Sequence, residues 1–204
     1  LKQFNPNREE FEFQVKAVLK LIDSTKPKFM SVSVDQEYSK INKLEFSPTI
    51  SGPNFVFKDR FDKVFSGWYR PVVYLPQVSS TTEMVPDFVF LKGENQSMYN
   101  LDADFRKELY SYEFLSNQMV RALSNRILGR LKPVQLVIFA RKHFHDSDAA
   151  LVKSAAFYLR PSRMLILTEH ELPNVFKMNL PVNASFIERI DLNYEKVDCK
   201  NLFF

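Results

Sequence analysis

Residues 85–105 read VPDFVFLKGENQSMYNLDADF, and this stretch decides which fold the sequence predicts. An apolar strand-like run is followed by the turn-forming residues GEN and then by a second alternating run. We therefore predict a hairpin of 86–92 with 98–105. Asp102 and Asp104 on the second strand would share one face, because side chains in a strand alternate with period two.

The rest of the chain predicts an α/β fold. Residues 35–70 carry turn signals without a clear element, and the tail, 182–198, predicts one or two edge strands. The apolar stripe of the first helix consists of Phe11, Val15, Val18, Leu19 and Ile22. The predicted helices are 8–23, 107–130 and 146–159, and the further predicted strands are 28–34, 72–77, 134–140 and 163–169. This order predicts a central mixed sheet with helices on both faces.

The composition is that of a globular domain. A chain of 204 residues with 45% hydrophobic and 25% charged residues can bury one substantial core, so we predict a single domain over 1–204. Because the sequence begins with Leu1 rather than Met, we expect a fragment of a larger protein, whose other domains or complex would be partners.

The charge and the cysteine count limit the surroundings of the protein. Cys199 is the single cysteine, which excludes an intrachain disulfide framework and favours an intracellular, reducing compartment. No apolar run approaches 18 residues, so a membrane is not a predicted partner. A net charge of +4 permits contact with nucleic acid without demonstrating it.

The Pro-Asp at 86–87, the hairpin, and the following helix with Gln118 resemble the PD-(D/E)XK nuclease superfamily. The likeness is nearest to its restriction-enzyme and helicase-associated branches. It implies a restriction-endonuclease-like core with a β-rich insertion. It also implies that Asp87 and Asp102 hold Mg²⁺ or Mn²⁺, that Glu12 or Glu9 supplies a further acid, and that Gln118 contacts substrate or supports the site. Such ions prefer oxygen ligands and activate water for phosphodiester cleavage.

Position 104 departs from that family, which has lysine where this chain has Asp104. Three interpretations are open. The site is dead and the fold is kept for binding or assembly. Alternatively, it is altered but active with Asp104, or a neighbouring cation such as Arg106 or Lys92 replaces the lysine. Simpler alternatives also stand: Asp87 as a turn acid, and Asp102 with Asp104 as a solvated strand end.

Basic, histidine and aromatic residues offer weaker signals. The basic residues that could contact phosphates are Arg106, Arg121, Arg126, Arg130, Arg141 and Lys142, although a solvated helix face explains those on the helix more simply. His143 and His145 have His-x-His spacing, which in a loop favours exposure over metal binding. Trp68 and Tyr69 favour core packing over base stacking.

The leading functional hypothesis is a nuclease-derived nucleic-acid-binding or assembly module with an incomplete metal site. The second is an active nuclease that uses Mg²⁺ or Mn²⁺ with Asp87, Asp102 and Asp104. The third, from a different class, is a protein-interaction scaffold without a nucleic-acid role.

Overall fold

The structure is a computed structural model, which describes residues 8–32, 53–71, 73–74, 83–96, 98 and 132–192. Within these ranges the helices are α1 (Arg8–Ser24) and α2 (Asp148–Leu159), and one 3₁₀ turn spans Asn174–Phe176. The strands are β1 (Phe29–Val32), β2 (Phe55–Lys58), β3 (Val64–Tyr69), β4 (Val73–Tyr74), β5 (Glu83–Met84), β6 (Phe88–Lys92), β7 (Val134–Arg141), β8 (Arg163–Thr168) and β9 (Ala184–Ile187).

Seven of these strands form one mixed sheet in the order β1-β2-β3-β6-β7-β8-β9, and β4 pairs with β5 in a separate small sheet. Neighbours from β1 to β7 are antiparallel, whereas β7, β8 and β9 run parallel. Helix α2 connects β7 to the parallel strand β8, as a parallel pair requires. The predicted α/β class with a mixed central sheet is confirmed.

The core lies on both faces of the sheet. Along β6, Phe88 and Phe90 join the apolar cluster beneath α1, while Val89 and Leu91 join the cluster beneath α2. This alternation follows from the strand period of two, and both faces are apolar because a helix covers each. The described chain is therefore a three-layer arrangement of helix, sheet and helix.

Phenylalanine fills the layer beneath α1. Phe57 stacks on Phe65 with ring centroids 5.1 Å apart, and Tyr69 lies 5.1 Å from Phe88. Gly67 on β3 makes room for the next strand, because a Cβ there would lie 2.2 Å from a ring carbon of Phe90. Many of the 20 phenylalanines of the sequence thus have a packing role.

Helix α1 spans nearly the predicted residues but buries a different stripe. Its buried positions are Phe13, Gln14, Ala17, Val18, Leu21 and Ile22. The predicted members Phe11, Val15 and Leu19 are only partly buried, so that part of the prediction is wrong. The helix is apolar over a broad arc, and periodicity alone does not identify the half of that arc that meets the sheet.

The predicted hairpin partner of β6 is also wrong for Phe88–Leu91. One edge of this segment pairs with β3 and the other pairs with β7. A strand has only two hydrogen-bonding edges, so no edge remains for 98–105. Within that predicted partner only Met98 is described, and it is buried in a bend.

Most other predicted elements are present. Strands 28–34, 134–140 and 163–169, helix 146–159 and an edge strand in the tail correspond to β1, β7, β8, α2 and β9. The predicted helix 107–130 lies outside the described residues. Neither described helix is long and apolar enough to cross a membrane.

Candidate functional site

Asp87 is a fully buried carboxylate immediately before β6. Its Oδ2 accepts hydrogen bonds from the backbone N–H of Ala140 at 3.0 Å and from Nε of Arg141 at 3.4 Å. The ladder between β6 and β7 reaches Phe88 and Ile138. The carboxylate therefore satisfies a β7 donor just beyond the last backbone pair.

Arg141 joins Asp87 to helix α2. Its second contact is from Nη1 to Oδ1 of Asp148, at 2.6 Å, and Asp148 is the first residue of that helix. Oδ2 of Asp148 accepts the backbone N–H of His145 at 2.9 Å. The guanidinium thus lies between two carboxylates and contacts each of them through a different nitrogen.

The N-terminal turn of α1 brings a third acid. Both carboxylate oxygens of Glu10 accept the backbone N–H of Lys142, at 3.1 and 3.3 Å. We call Glu10, Asp87, Arg141 and Asp148 the carboxylate cluster. It lies at the carboxyl end of β7, where parallel strands of α/β sheets commonly present ligand sites.

Burial dominates the electrostatics of this cluster. Desolvation raises the pKa of Asp87 above its usual value, against the opposing charges of Arg141 and Arg70. Desolvation likewise raises the pKa of Glu10, the Lys142 N–H opposes it, and the negative charge of Asp87 adds to the rise. Burial alone would lower the pKa of Arg141, but Asp87 and Asp148 outweigh it and raise that pKa.

Lys142 forms the outer rim of the cluster. Its Nζ lies 3.3 Å from Glu9 and 3.6 Å from Glu169. Both Arg141 and Lys142, predicted to contact phosphates, therefore have carboxylate partners in the protein. Their positive charge is largely compensated where they stand.

The acid that α1 brings to Asp87 is Glu10, which the sequence analysis missed. The predicted Glu12 is exposed and lines a surface groove with Glu9 and Glu169. The signal in the sequence was the apolar Phe13, which lies three residues after Glu10 and therefore on the same side of a helix. The apolar stripe that was predicted from the sequence is centred on a different side of the helix from the residues that are buried.

The other predicted site residues lie outside the part of the chain that the structure describes. They are the catalytic candidates Asp102, Asp104 and Gln118 and the basic candidates Arg106, Arg121, Arg126 and Arg130.

The described residues do not fit a divalent metal centre. Among them, no group of three or more His, Cys, Asp or Glu side chains could hold an ion. At Asp87, Oδ2 is taken by Ala140 and Arg141, while Oδ1 accepts no hydrogen bond. The cation at this carboxylate is a guanidinium.

The histidine and aromatic candidates make packing contacts within the protein. The His143 ring stacks on His170 with centroids 3.9 Å apart and planes 10° apart, so the two rings do not converge on one ion. Trp68 and Tyr69 are buried, which confirms core packing. The Tyr69 hydroxyl donates to Oε1 of Gln14 at 2.6 Å and attaches α1 to β3.

Comparison with protein-family models, with curated proteins and with solved structures found no match to this chain.

Proposed function

We propose that this chain is a nuclease-derived module that binds nucleic acid or supports an assembly, and that its metal site is incomplete. The observation that carries the proposal is the contact of Arg141 with Asp87. The nuclease ancestry and the nucleic-acid ligand rest on the sequence resemblance of VPDFVF at 85–90 and YNLDADF at 99–105 to PD-(D/E)XK nucleases. The hairpin that this resemblance implied is not formed by Phe88–Leu91, so the proposal rests on the motif and not on that pairing.

The charge balance at Asp87 supports an inactive site. In a metal-dependent nuclease an acid at this place would share its charge with a divalent ion that polarises the phosphate and lowers the pKa of water. A guanidinium neutralises a carboxylate but does not activate water in this way. Arg141 is also held by Asp148 at 2.6 Å, so leaving Asp87 would disturb a second ion pair.

One observation favours the second candidate, an active nuclease dependent on Mg²⁺ or Mn²⁺. Oδ1 of Asp87 is buried without a hydrogen-bond donor, and buried polar atoms usually have a partner. In that candidate, Asp102 would hold the metal with Asp87, and Asp104 would act as a catalytic residue where the resembled family has lysine.

The experiment is a combined binding and cleavage assay on single- and double-stranded DNA and RNA, with and without Mn²⁺. We expect salt-sensitive binding and no cleavage products. The variant is Asp87→Asn, which keeps an acceptor oxygen for the Ala140 N–H, and the matched control is Asp23→Asn at an exposed position of α1.

Cleavage that requires Mn²⁺, disappears in Asp87→Asn and persists in Asp23→Asn would establish the active nuclease instead. If wild-type protein neither binds nor cleaves any of the four substrates, the nucleic-acid role is excluded and a protein-interaction scaffold is left.

A further inference from the structure

The turn between β2 and β3 presents a cationic and aromatic surface far along the sheet from the carboxylate cluster. Phe61 at this turn is 55% exposed, although large apolar side chains are usually buried. We define the hairpin patch as Lys28, Lys58, Arg60, Phe61, Asp62 and Lys63. Four of its members are cations, and one is an exposed carboxylate.

The turn is held rigidly by Asp59 beneath it. Oδ1 of this buried carboxylate accepts the backbone N–H groups of Phe61 and Lys63, each at 2.8 Å. The Asp59 N–H donates to the Lys63 carbonyl at 2.9 Å. A turn that is already ordered loses little conformational entropy when a ligand binds.

Asp62 organises the lysines of the patch. Its carboxylate contacts Lys28 and Lys58, at 2.5 and 2.8 Å, and these hydrogen bonds lower its pKa to about 2. Its backbone has a φ of 63°, a left-handed conformation that Asp tolerates better than most residues. The two lysines are therefore fixed side by side at the base of the patch.

Arg60 and Lys63 bring charge to the aromatic ring. The guanidinium carbon of Arg60 lies 4.6 Å from the Phe61 ring centroid, and Nζ of Lys63 lies 6.0 Å from it. These are cation–π distances. An aromatic ring beside a planar guanidinium offers stacking surfaces, and the flanking charges suit a chain of phosphates.

We infer that the hairpin patch is a binding site for single-stranded nucleic acid. A base stacks on Phe61 or on the Arg60 guanidinium, and neighbouring phosphates contact Arg60 and Lys63. Paired bases in a duplex are stacked on each other and do not offer their faces to an exposed ring, so a single strand is preferred. An anionic membrane fits less well, because inserting Phe61 would carry adjacent cations toward the hydrocarbon at a high cost.

This site shares its ligand class with the proposed function but rests on different residues. The test is fluorescence anisotropy with a labelled oligothymidine and with a duplex of equal length. The variants are Phe61→Ala and the double variant Arg60→Gln/Lys63→Gln. The matched controls on α2 are Phe157→Ala, whose side chain is 54% exposed, and Lys153→Gln, which is also exposed.

We expect Phe61→Ala to weaken binding of the single strand about tenfold, in line with the usual contribution of one stacked base. The double variant should lower the slope of log affinity against log salt by about 1.4, or about 0.7 for each lost phosphate contact. Neither control should change binding, and the duplex should bind more weakly than the single strand.

Binding that is unchanged in both hairpin variants would overturn this inference while leaving the proposed function intact. No binding of any nucleic acid by the wild-type protein would overturn both. In a parallel arm with vesicles of phosphatidylserine and phosphatidylcholine, Phe61-dependent binding without oligonucleotide binding would replace the inference with a membrane-surface site.

Discussion

Two buried aspartates, Asp87 and Asp59, perform different tasks in this protein. Each has one carboxylate oxygen with hydrogen-bond partners and one without. Asp87 binds a backbone donor 53 residues away and a guanidinium, and so connects β6, β7 and, through Arg141, α2. Asp59 binds two backbone donors of its own turn.

The two carboxylates differ in how far along the sequence their hydrogen-bond partners lie. In the carboxylate cluster, the positive charge of Arg141 is paired with the carboxylates of Asp87 and Asp148. Both hydrogen bonds that Oδ1 of Asp59 accepts come from backbone N–H groups and not from a cationic side chain. The residues that follow it in the turn, Arg60 to Lys63, are exposed to solvent. The first arrangement connects elements of the fold, and the second leaves Arg60 to Lys63 at the surface, where we propose that nucleic acid binds.

The largest effect is expected from Asp87→Ala. The substitution leaves the largely buried Arg141 with Asp148 alone and removes the acceptor of the Ala140 N–H. Breaking a buried ion pair from one side costs about 3 kcal/mol of unfolding free energy. Urea denaturation should show this loss, with Asp23→Ala on the exposed side of α1 as a nearly neutral control. A cost equal to that of the control would mean that the cluster does not connect its elements.

A smaller loss of about 2 kcal/mol is expected from Asp59→Ala, since two backbone donors lose their acceptor. The same denaturation experiment applies, with Asp23→Ala on the exposed side of α1 again as the nearly neutral control. If Asp59→Ala were as costly as Asp87→Ala, the local character of the turn would be contradicted.

Next in size is Glu10→Ala, which should cost about 1 kcal/mol because the Lys142 N–H loses its acceptor. Glu12→Ala is the matched comparison on the same helix and should change stability by less than about 0.5 kcal/mol, as is usual for an exposed position. Equal effects would contradict the place of Glu10 in the cluster, and the reverse order would indicate Glu12 as its acid.

The pH dependence of stability should have opposite signs at the two regions. A raised folded pKa means that folded Asp87 binds its proton more tightly than in the unfolded chain, whose pKa is 3.8. The stability advantage of the wild type over Asp87→Asn should therefore shrink as pH rises above 3.8. Asp62 has a lowered pKa of about 2, so its contribution is full above 3.8 and is lost as pH falls toward 2.

Urea titrations of wild type, Asp87→Asn and Asp62→Asn across acidic pH would measure both slopes. In added salt, the dependence of stability on pH that Asp62 causes should be weaker than the dependence that Asp87 causes. The side chain of Asp62 and its lysine partners are exposed, so salt screens their attraction. Parallel slopes for the two variants would contradict the contrast between a desolvated and an exposed carboxylate.

Much of the fold was predictable from local patterns, and the pairing of its elements was not. Strands β7 and β8 are continuous apolar runs and were predicted almost to the residue, since both of their faces are buried. The neighbours of β6 were missed because β3 and β7 are distant in sequence, and a turn signal favours the adjacent segment. Strands β2 and β3 went unrecognised among the turn signals of 35–70.

Of the carboxylate cluster, the sequence indicated Asp87 as a candidate, but it did not indicate the ion pair that Asp87 forms. Asp87 after Pro86 was identified, but its partner Arg141 was predicted to contact phosphate instead. An ion pair between positions 54 residues apart depends on the strand register, which the sequence does not reveal. Asp102, which was predicted to hold the metal together with Asp87 and Glu12, lies outside the described residues, and so does Asp104.

The central claim is that Arg141 takes the place of a metal ion at Asp87, and a Mn²⁺ titration followed by electron paramagnetic resonance tests it most directly. We predict that wild type and Asp87→Asn leave the same concentration of free Mn²⁺ at every point of the titration. A bound Mn²⁺ population in the wild type that is lost in Asp87→Asn and kept in Asp23→Asn would contradict the claim.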